Sequence, residues 1–416
     1  MARTASKSRY GLKGEKLKTG ESYHAGSQRY MYRWTDRFGK RKTVYAKKLS
    51  ELRAKEEEIN RDLADGIRAE SNNITLNDMF ELWRTIKVGL KEHTLANYVY
   101  MYNHFVRESI GTLKIQSIRK SDLLRFYNTL IGEGRNKVAI NTLENIHNVL
   151  HQVFQLAVDD DYIRKNVSDK VLTELKKAHN YERPKRHALT IPEQTAFLSY
   201  IRKTNKYKHW LPLFTFFLGT GCRVSEVIGL RWQDVDMEND MIDINHALTY
   251  YPDKTGKCGY HISTPKTSSG KRKIPMLPEV KQALLDEKEY QKEAELSCSC
   301  EIDGHTNFIF LNRDGKNHNQ QSINRAIQRV LRDYNFEEYE QAEKEEREAV
   351  LLPNFSCHNL RHTFATRCND REMNAKIVQT VMGHSSIAVT LDVYTDATED
   401  KLKESFDNLQ GMLIFS

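Results

Sequence analysis

The chain has 416 residues, of which 39% are hydrophobic and 29% charged, as is typical of a globular protein with two or three domains. Its longest apolar run, LPLFTFFLG at 211–219, is too short to cross a bilayer, and no apolar stretch follows the basic N-terminus. We therefore expect neither a membrane span nor a secretory signal. The six cysteines indicate reduced thiols rather than a disulfide framework, and the expected location is the cytoplasm, at the nucleoid.

Positive charge is concentrated at the N-terminus. Residues 1–50 contain 14 Lys and Arg against three acidic residues, a net of +11, which leaves −3 of the total +8 for the rest of the chain. Such a block indicates a polyanionic partner, most simply nucleic acid. The alternative is a disordered, solubilising tail.

The first predicted elements are strands. QRYMYRWTDRFGKRKTVYA, at 28–46, contains two runs of β-forming residues around a D-R-F-G-K turn, which predicts a hairpin. LSELRAKEEEINRDLADGI, which follows, has helical spacing and ends at Gly66. We expect a basic sheet plus helix in a domain of residues 1–70 that can enter a DNA groove. Its candidate DNA-binding residues are Arg33, Arg37, Lys40, Arg41 and Lys42.

The next region predicts helices. From Thr75 to about Asp169 the pattern is almost wholly helical, and Thr75 stands three residues before Asp78, as in a helix cap. This spacing predicts a bundle of four or five helices in a domain of residues 71–180. The polar, Pro-containing stretch NYERPKRHALT, at 180–190, is the best linker candidate.

Beyond the linker the pattern is mixed, and residues 181–416 form the third predicted domain. IPEQTAFLSYIRKT and KHWLPLFTFFLG predict helices, MIDINHAL predicts a strand, and GYHISTPKTSSGKRKIPM predicts a hairpin that turns at T-S-S-G. Helices resume to the C-terminus, and the acidic stretches at 286–295 and 336–348 are interpreted as solvated faces. The fold class is thus mainly α with small β-sheets, a multidomain α+β protein.

The stretch LGTGCRVSEVIGLRW places Arg223 near the start of a helix. A guanidinium there, together with the free amides of the helix terminus, suits a bound phosphate. The structural alternative is that Arg223 pairs with Glu226, three residues on. The two interpretations are compatible, because a paired glutamate can hold the guanidinium in place.

The stretch HNLRH, at 358–362, also allows two interpretations. His358 and His362 stand four apart and can share a zinc ion on a helix, whereas His358 and Arg361 can hold a phosphate oxygen. Asn359 stands where a zinc hydrolase needs its glutamate base, and a dication would repel the guanidinium, so chemistry favours phosphate. A weaker zinc candidate, which lacks a fourth ligand, comprises Cys298, Cys300 and His305.

The last motif is KIVQTVMGHSSIAVTLDVYTD. It predicts a helix that stops at Gly383, a turn that contains His384, and a new helix capped near Ser386. Periodicity alone makes Tyr394 a core residue, because one stripe of this helix carries Ile387, Leu391 and Tyr394.

Taken in order, these motifs resemble the active-site set of the tyrosine recombinases, or phage-type integrases, over residues 75 to 400. The matching residues are Arg223, Lys266, His358, Arg361, His384 and Tyr394. The N-terminal part, with GESYHAGSQRYMYRW and a basic three-stranded sheet, is similar to the arm-binding domain of integrases from Gram-positive conjugative transposons. In such enzymes the helical domain is a core-binding, SAM-like domain, and the third domain is catalytic.

The resemblance implies a site-specific recombinase that integrates and excises a mobile element. Tyr394 would attack a scissile phosphodiester and leave a 3′-phosphotyrosyl link and a free 5′-hydroxyl. Arg223 and Arg361 would bracket the phosphate oxygens and stabilise charge in the transition state. Lys266 would protonate the departing 5′-oxygen.

The remaining members of the set would have supporting roles. His358 would assist proton transfer at the tyrosine, and His384 would donate a hydrogen bond to the phosphate. Glu226 would orient the site rather than react. In the predicted hairpin, Lys271 and Lys273 compete with the lysine of TPKT for the acid role.

The resemblance also implies partners and alternatives. Because two arginines and a lysine supply positive charge, no metal, cofactor or ATP is expected. The expected partners are double-stranded DNA at core and arm attachment sites, an excisionase, DNA-bending proteins and further copies of the chain. A dimer on one site and a tetramer in the synapse would be joined by the C-terminal tail. The alternatives are a type IB topoisomerase, a non-catalytic DNA-binding regulator and a zinc hydrolase.

Overall fold

A computed structural model of the chain describes residues 10–35, 41–64, 73–132, 137–182, 187–253, 256–264 and 270–394, without the side chains of residues 62 and 392–394. The chain divides into two compact units, Met1–Glu182 and Arg183–Ser416. The division falls inside the Pro-containing stretch at 180–190. No described helix combines the length and the apolar character that a bilayer crossing requires.

The N-terminal elements form an antiparallel sheet covered by a helix. Its strands are β1 (Glu21–His24), β2 (Arg29–Thr35) and β3 (Arg41–Ala46), in the order β1-β2-β3, and they are followed by α1 (Leu49–Ala64). Tyr30 and Tyr32 lie on the same face of β2, and both rings are buried on the side where Leu52 of α1 packs. Met31, on the other face, is also buried. These elements confirm the predicted sheet and helix; the turn between β2 and β3 lies outside the described residues.

The rest of the first unit is a helical bundle, as predicted. It comprises α2 (Leu76–Ile86), α3 (Glu92–Met101), α4 (Lys120–Ile131), α5 (Ile140–Asp159) and α6 (Val171–Ala178). The hydroxyl of Thr75 accepts a hydrogen bond from the Asp78 amide, and the Asp78 carboxylate accepts one from the Thr75 amide, so the expected cap starts α2. A π-helical turn, Tyr102–Val106, continues α3, and α5 carries the largest buried stripe of the bundle.

The second unit has eight α-helices among its described residues. They are α7 (Ile191–Lys203), α8 (Leu211–Thr220), α9 (Val224–Val227), α10 (Pro278–Glu293), α11 (Gln320–Lys344), α12 (Cys357–Asp370), α13 (Ala375–Met382) and α14 (Ile387–Tyr394). Helix α8 lies at the centre, because it packs against both α10 and α12. Its Phe214, Phe216 and Phe217 are fully buried, and each ring contributes about 1.5–3 kcal/mol of hydrophobic stabilisation.

Two small sheets flank these helices, and they correct the predicted hairpin. The strands are β4 (Val235–Asp236), β5 (Met241–Ile244), β6 (Ala247–Pro252), β7 (Cys258–Ser263) and β8 (Arg272–Pro275). The two arms of the expected hairpin pair with other strands: β7 lies against β6, and β8 lies against β5 in the sheet β4-β5-β8. The reason is core formation, because Ile274 lies opposite Ile242 and both are buried.

The acidic helical stretches are only partly solvated. Most side chains of 336–348 are exposed, and Arg347 pairs there with Glu338 and Glu345. In 286–295, however, Glu287 is buried, which the prediction missed. Burial raises the pKa of Glu287 to about 7, and Gln291 donates a hydrogen bond to its carboxyl group.

Candidate active site

The corner between α8 and α9 is built around a glycine. Gly221 caps α8 with a φ of +60°, a left-handed conformation that costs little without a Cβ atom. Its carbonyl accepts a hydrogen bond of 2.6 Å from Nη1 of Arg361 on α12, and the ring of Phe364 packs against its Cα. Through these two contacts of Gly221, the turn between α8 and α9 is linked to α12.

Gly221→Ala should destabilise the fold by about 2–4 kcal/mol, because the alanine Cβ atom would be strained at this φ and would overlap the ring of Phe364. Urea denaturation of the full chain measures the loss. The matched control is Gly304→Ala, since Gly304 has a φ of +76° but no atom within 4 Å of the added Cβ. The control should lose about 1–2 kcal/mol from strain alone. Equal losses in the two variants would contradict the role of the Phe364 ring.

Arg223 is the N-cap residue of α9, and it is held by Glu226. Nη1 of Arg223 lies 2.8 Å from Oε1 of Glu226, and the Arg223 amide donates to Oε2 at 2.9 Å. The expected ion pair is therefore present. The Glu226 carboxylate accepts a hydrogen bond from the amide of Arg223, and the expectation that this helix terminus binds a phosphate stays a prediction. The Arg223 side chain is 39% exposed, so its guanidinium still reaches solvent.

The residues of HNLRH differ in their exposure to solvent on α12. Arg361 is buried and donates from Nη1 to the Gly221 carbonyl and from Nη2 to the Met382 carbonyl, the latter at 2.8 Å. His358 is exposed in the first turn, and His362 is half-buried. Burial, together with the charge of Arg223, lowers the pKa of Arg361 to about 9, so the guanidinium stays protonated at neutral pH.

Asn359 has a capping role at the start of α12. Its side-chain oxygen accepts hydrogen bonds from the amide and the hydroxyl of Ser356, and its Nδ2 donates to the His187 carbonyl. In the described part of the chain, no three His, Cys, Asp or Glu side chains cluster as metal ligands. The weaker zinc candidate included Cys300, and the thiol of this residue donates a hydrogen bond to Oδ1 of Asn317.

The C-terminal end of α13 is where the arginines meet. Three consecutive carbonyls accept hydrogen bonds: Val381 from Nε of Arg272 at 2.5 Å, Met382 from Arg361, and Gly383 from Nη2 of Arg223 at 2.8 Å. A helix C-terminus carries partial negative charge, which offsets the repulsion among three guanidinium groups. The carbonyl trio, residues 381–383, is therefore the shared acceptor of the site.

His384 directly follows the carbonyl trio. Gly383 stops α13 with a φ of +63°, as expected, and the hydroxyl of Ser386 caps α14. Nδ1 of His384 lies 2.9 Å from the hydroxyl of buried Thr390. Burial lowers the pKa of His384 to about 4, with the charges of Arg361 and Arg223 acting in the same direction, so the ring is neutral at neutral pH.

The structure assigns a place to Arg272, which the sequence analysis missed. Its neighbours Lys271 and Lys273, the candidates that the sequence suggested there, are both exposed. Arg272 and Ile274 are buried, because alternate residues of a strand share one face. This alternation in RKIP was the available signal, since it puts Arg272 on the core side with Ile274.

Two of the six residues in the predicted active-site set have no described side chain. Lys266 lies outside the described residues, as does the side chain of Tyr394, the last residue of α14. The predicted core stripe on α14 is wrong where the structure describes it, because Ile387 and Leu391 are 41% and 43% exposed. The exposure of these two residues removes the periodicity argument that assigned Tyr394 to the core.

The chain matches three family models. Residues 188–401 match the phage integrase family, residues 5–63 the DNA-binding domain of Tn916 integrase, and residues 75–131 the N-terminal SAM-like domain of phage integrases. The transposases from transposon Tn916 of Enterococcus faecalis and from transposon Tn1545 of Streptococcus pneumoniae are each 31% identical over 411 residues. Each alignment covers 95% of this chain and 95% of the relative.

Solved structures show the same relationship. A Tn1549 transposon integrase in complex with circular intermediate DNA has a TM-score of 0.69 and 29% identity, over 81% of this chain and 100% of that one. A lambda integrase tetramer bound to a Holliday junction, with a TM-score of 0.51 and 17% identity over 90% and 94%, shares the fold. These matches confirm the predicted fold class and the resemblance. The chain belongs to the phage integrase family and is a tyrosine recombinase of the conjugative-transposon integrase type.

Proposed function

We propose that this recombinase cuts and rejoins double-stranded DNA at the attachment sites of a mobile element, through a 3′-phosphotyrosyl intermediate on Tyr394. The observation that carries the proposal is the convergence of Arg223, Arg361 and His384 at the end of α13. These residues come from separate parts of the second unit. Placing like charges close together does not stabilise a fold, so their convergence indicates a function. A phosphate diester would neutralise part of that charge.

The two arginines can each bind phosphate while keeping their present hydrogen bonds. A guanidinium has five N–H donors. Arg361 uses donors on the Gly221 and Met382 carbonyls, and Arg223 uses donors on Glu226 and the Gly383 carbonyl. The remaining donors would stabilise the negative charge that grows on the non-bridging oxygens in the transition state.

The other residues of the set would move protons or donate hydrogen bonds. Lys266 would protonate the leaving 5′-oxygen, and exposed His358 would assist proton transfer at the tyrosine. His384 is neutral, so it would donate a hydrogen bond to the phosphate rather than a full charge. Because the phosphotyrosyl ester retains the bond energy of the broken diester, a 5′-hydroxyl of another duplex can reseal it without ATP.

A covalent-capture assay tests this mechanism. The full chain is incubated with a nicked duplex that carries the joined-end attachment site of the encoding element, in the presence of a chelator, and analysed on a denaturing gel. We expect a protein–DNA adduct whose tryptic peptide contains Tyr394. An adduct that requires added metal, or one on another residue, would overturn the proposal. Relaxation of supercoiled DNA without joining of sites would instead identify a type IB topoisomerase.

We also propose that the N-terminal sheet binds arm-type DNA sites. Register places Arg29, Arg33 and Arg41 on the face turned away from α1, together with Thr43 and exposed Tyr45. A basic sheet face of this kind can lie in a groove. Lys42 lies on the opposite face, across from Trp34, while Arg37 and Lys40 lie outside the described residues.

Replacing Arg33 and Arg41 together by alanine should weaken binding to an arm-site duplex. It should also lower the slope of log K against log salt by about 0.9 for each DNA phosphate that the variant no longer neutralises. Fluorescence anisotropy over a salt series measures both effects. The matched control is Arg61→Ala, which removes a positive charge from an exposed position of α1, on the other side of the sheet. An unchanged slope in the double variant would contradict the arm-binding face.

We propose a separate role for each of the three predicted domains. Residues 1–70 would bind arm sites, residues 71–180 would bind the core site, and residues 181–416 would carry out catalysis. Since a lambda integrase forms a tetramer on a Holliday junction, we propose that this enzyme assembles as a dimer on one site and a tetramer in the synapse, through its C-terminal tail. An excisionase and DNA-bending proteins would set the direction of the reaction in the cytoplasm, at the nucleoid.

A further inference from the structure

Arg272 makes a dense set of hydrogen bonds for a residue outside the recognised active-site set. Its side chain is 3% exposed. Nη2 lies 2.9 Å from Oε2 of Glu226 and Nη1 lies 3.2 Å from Oε1, so the guanidinium donates a hydrogen bond to each carboxylate oxygen. Nη1 also donates to the Gly270 carbonyl, and Nε donates to the Val381 carbonyl. A planar guanidinium can make all of these bonds at once, whereas an ammonium group cannot.

These bonds coincide with the anchors of Arg223. Arg223 is held at two points, the carboxylate of Glu226 and the carbonyl of Gly383. Arg272 binds the same carboxylate and the carbonyl two residues before Gly383. Glu226 and the end of α13 are therefore fixed relative to each other by a side chain that does not itself reach solvent.

The charges lead to a second consequence. If Glu226 paired with Arg223 alone, the carboxylate would cancel the positive charge that a phosphate must meet. With Arg272 sharing the buried carboxylate, two cations surround one anion, and Arg223 keeps net charge at its 39% exposed side chain. Burial by itself raises the pKa of Glu226, but the hydrogen bonds and charges of Arg272 and Arg223 hold this pKa below its usual value.

We propose that Arg272 is a positioning residue for DNA cleavage, which holds Glu226 and the carbonyl trio in place and thereby sets both the orientation and the charge of Arg223. The inference rests on the proposed phosphate-binding role of Arg223. Arg272 acts through its neighbours, because its five N–H donors are all directed at protein acceptors, namely Glu226, Gly270, Val381 and Cys222. Arg361 is also buried, but within the described residues it uses donors on only two carbonyls.

The test compares Arg272→Lys with wild type in single-turnover cleavage of the nicked attachment-site duplex. Lysine keeps the charge but cannot hold both carboxylate oxygens and the Val381 carbonyl. We expect cleavage to slow by about 10- to 100-fold, since a small misplacement of a catalytic group has effects of this size. Affinity for the duplex should stay within about twofold, because Arg272 touches no DNA on this proposal.

Arg231→Lys is the matched control. Arg231 also makes a bidentate bond to a buried carboxylate three residues on, with Nε and Nη2 at 2.9 and 2.8 Å from Asp234. Within the described ranges, its side-chain hydrogen bonds go to Asp234 and not to the carbonyl trio. Both lysine variants should lower the thermal midpoint, but only Arg272→Lys should slow cleavage. Equal slowing in the two variants would reduce Arg272 to a structural role.

Two further measurements separate positioning from general stabilisation. In a double-mutant cycle with Arg223→Lys, the effects on cleavage rate should be strongly non-additive, because Arg272 acts through Arg223. In Arg272→Met, Glu226 should take up a proton at higher pH, so the acid limb of the cleavage profile should move upward. The charged or titratable groups that face Glu226 are Arg223 of α9, Arg272 of β8, Arg361 of α12, His384 after α13 and the thiol of Cys222.

The outcomes distinguish the two proposals. Absence of any adduct with wild type would overturn the phosphotyrosyl mechanism. If wild type and Arg231→Lys cleave normally, a normal rate for Arg272→Lys, or additive effects in the cycle, would overturn the positioning role and leave that mechanism standing.

Discussion

Tyr394→Phe should abolish covalent capture of DNA, with a loss of cleavage of about 10⁴-fold or more, because phenylalanine keeps the ring but lacks the attacking oxygen. Binding to the same duplex should remain within about twofold, since no positive charge is removed. Denaturing gels and mobility shifts measure the two quantities on the same preparations.

The matched control for this variant is Tyr250→Phe. Tyr250 lies in β6 of the same unit and is 53% exposed, so its hydroxyl can be removed without disturbing the core. It should form adduct at the wild-type rate. An adduct that persists in Tyr394→Phe would mean that another residue attacks the phosphate.

Arg361→Lys should have the second largest effect, because Arg361 combines a structural role with a proposed chemical one. Lysine can reach one acceptor, so the carbonyl of Gly221 or of Met382 would lose its donor in a buried site, at a cost of about 1–3 kcal/mol. Loss of a directed donor to the phosphate should slow cleavage by about 100- to 1,000-fold. Urea denaturation and single-turnover cleavage separate the two losses.

Arg367→Lys, on the same helix, is the control for Arg361→Lys. Arg367 pairs with Asp370 at 3.1 Å and donates to the Leu189 carbonyl at 2.5 Å, so it has a comparable set of hydrogen bonds away from the site. It should lose stability but cleave at the wild-type rate. Comparable slowing of both variants would show that cleavage follows stability and not the chemistry of Arg361.

Local chemistry accounts for what could be predicted from the sequence. The cap at Thr75, the stop at Gly383 and the pair formed by Arg223 and Glu226 depend on residues within three positions, and all three are present. The sheet of the N-terminal region was equally predictable, because its strands follow one another in the chain.

Features set by distant parts of the chain were missed. The hairpin prediction failed because β8 pairs with β5, and this choice is made by core packing between Ile242 and Ile274. Arg272 was overlooked for the same reason, since its acceptors on α9 and α13 are 46 and 109 residues away. The apolar stripe on α14 predicted a buried face, but the sequence does not show which element covers that face. In the structure Ile387 of this stripe is exposed.

On the proposed mechanism, the carbonyl trio links catalysis to folding. Its three donors lie 109, 21 and 160 residues away in the chain, on β8, α12 and the start of α9. A local opening that displaces residues 381–383 therefore removes one hydrogen-bond acceptor from each of the three arginines at the same time. Amide exchange at these residues and loss of cleavage should follow the same unfolding transition. On the proposed mechanism, a chain in which residues 381–383 are displaced should form no covalent adduct with DNA.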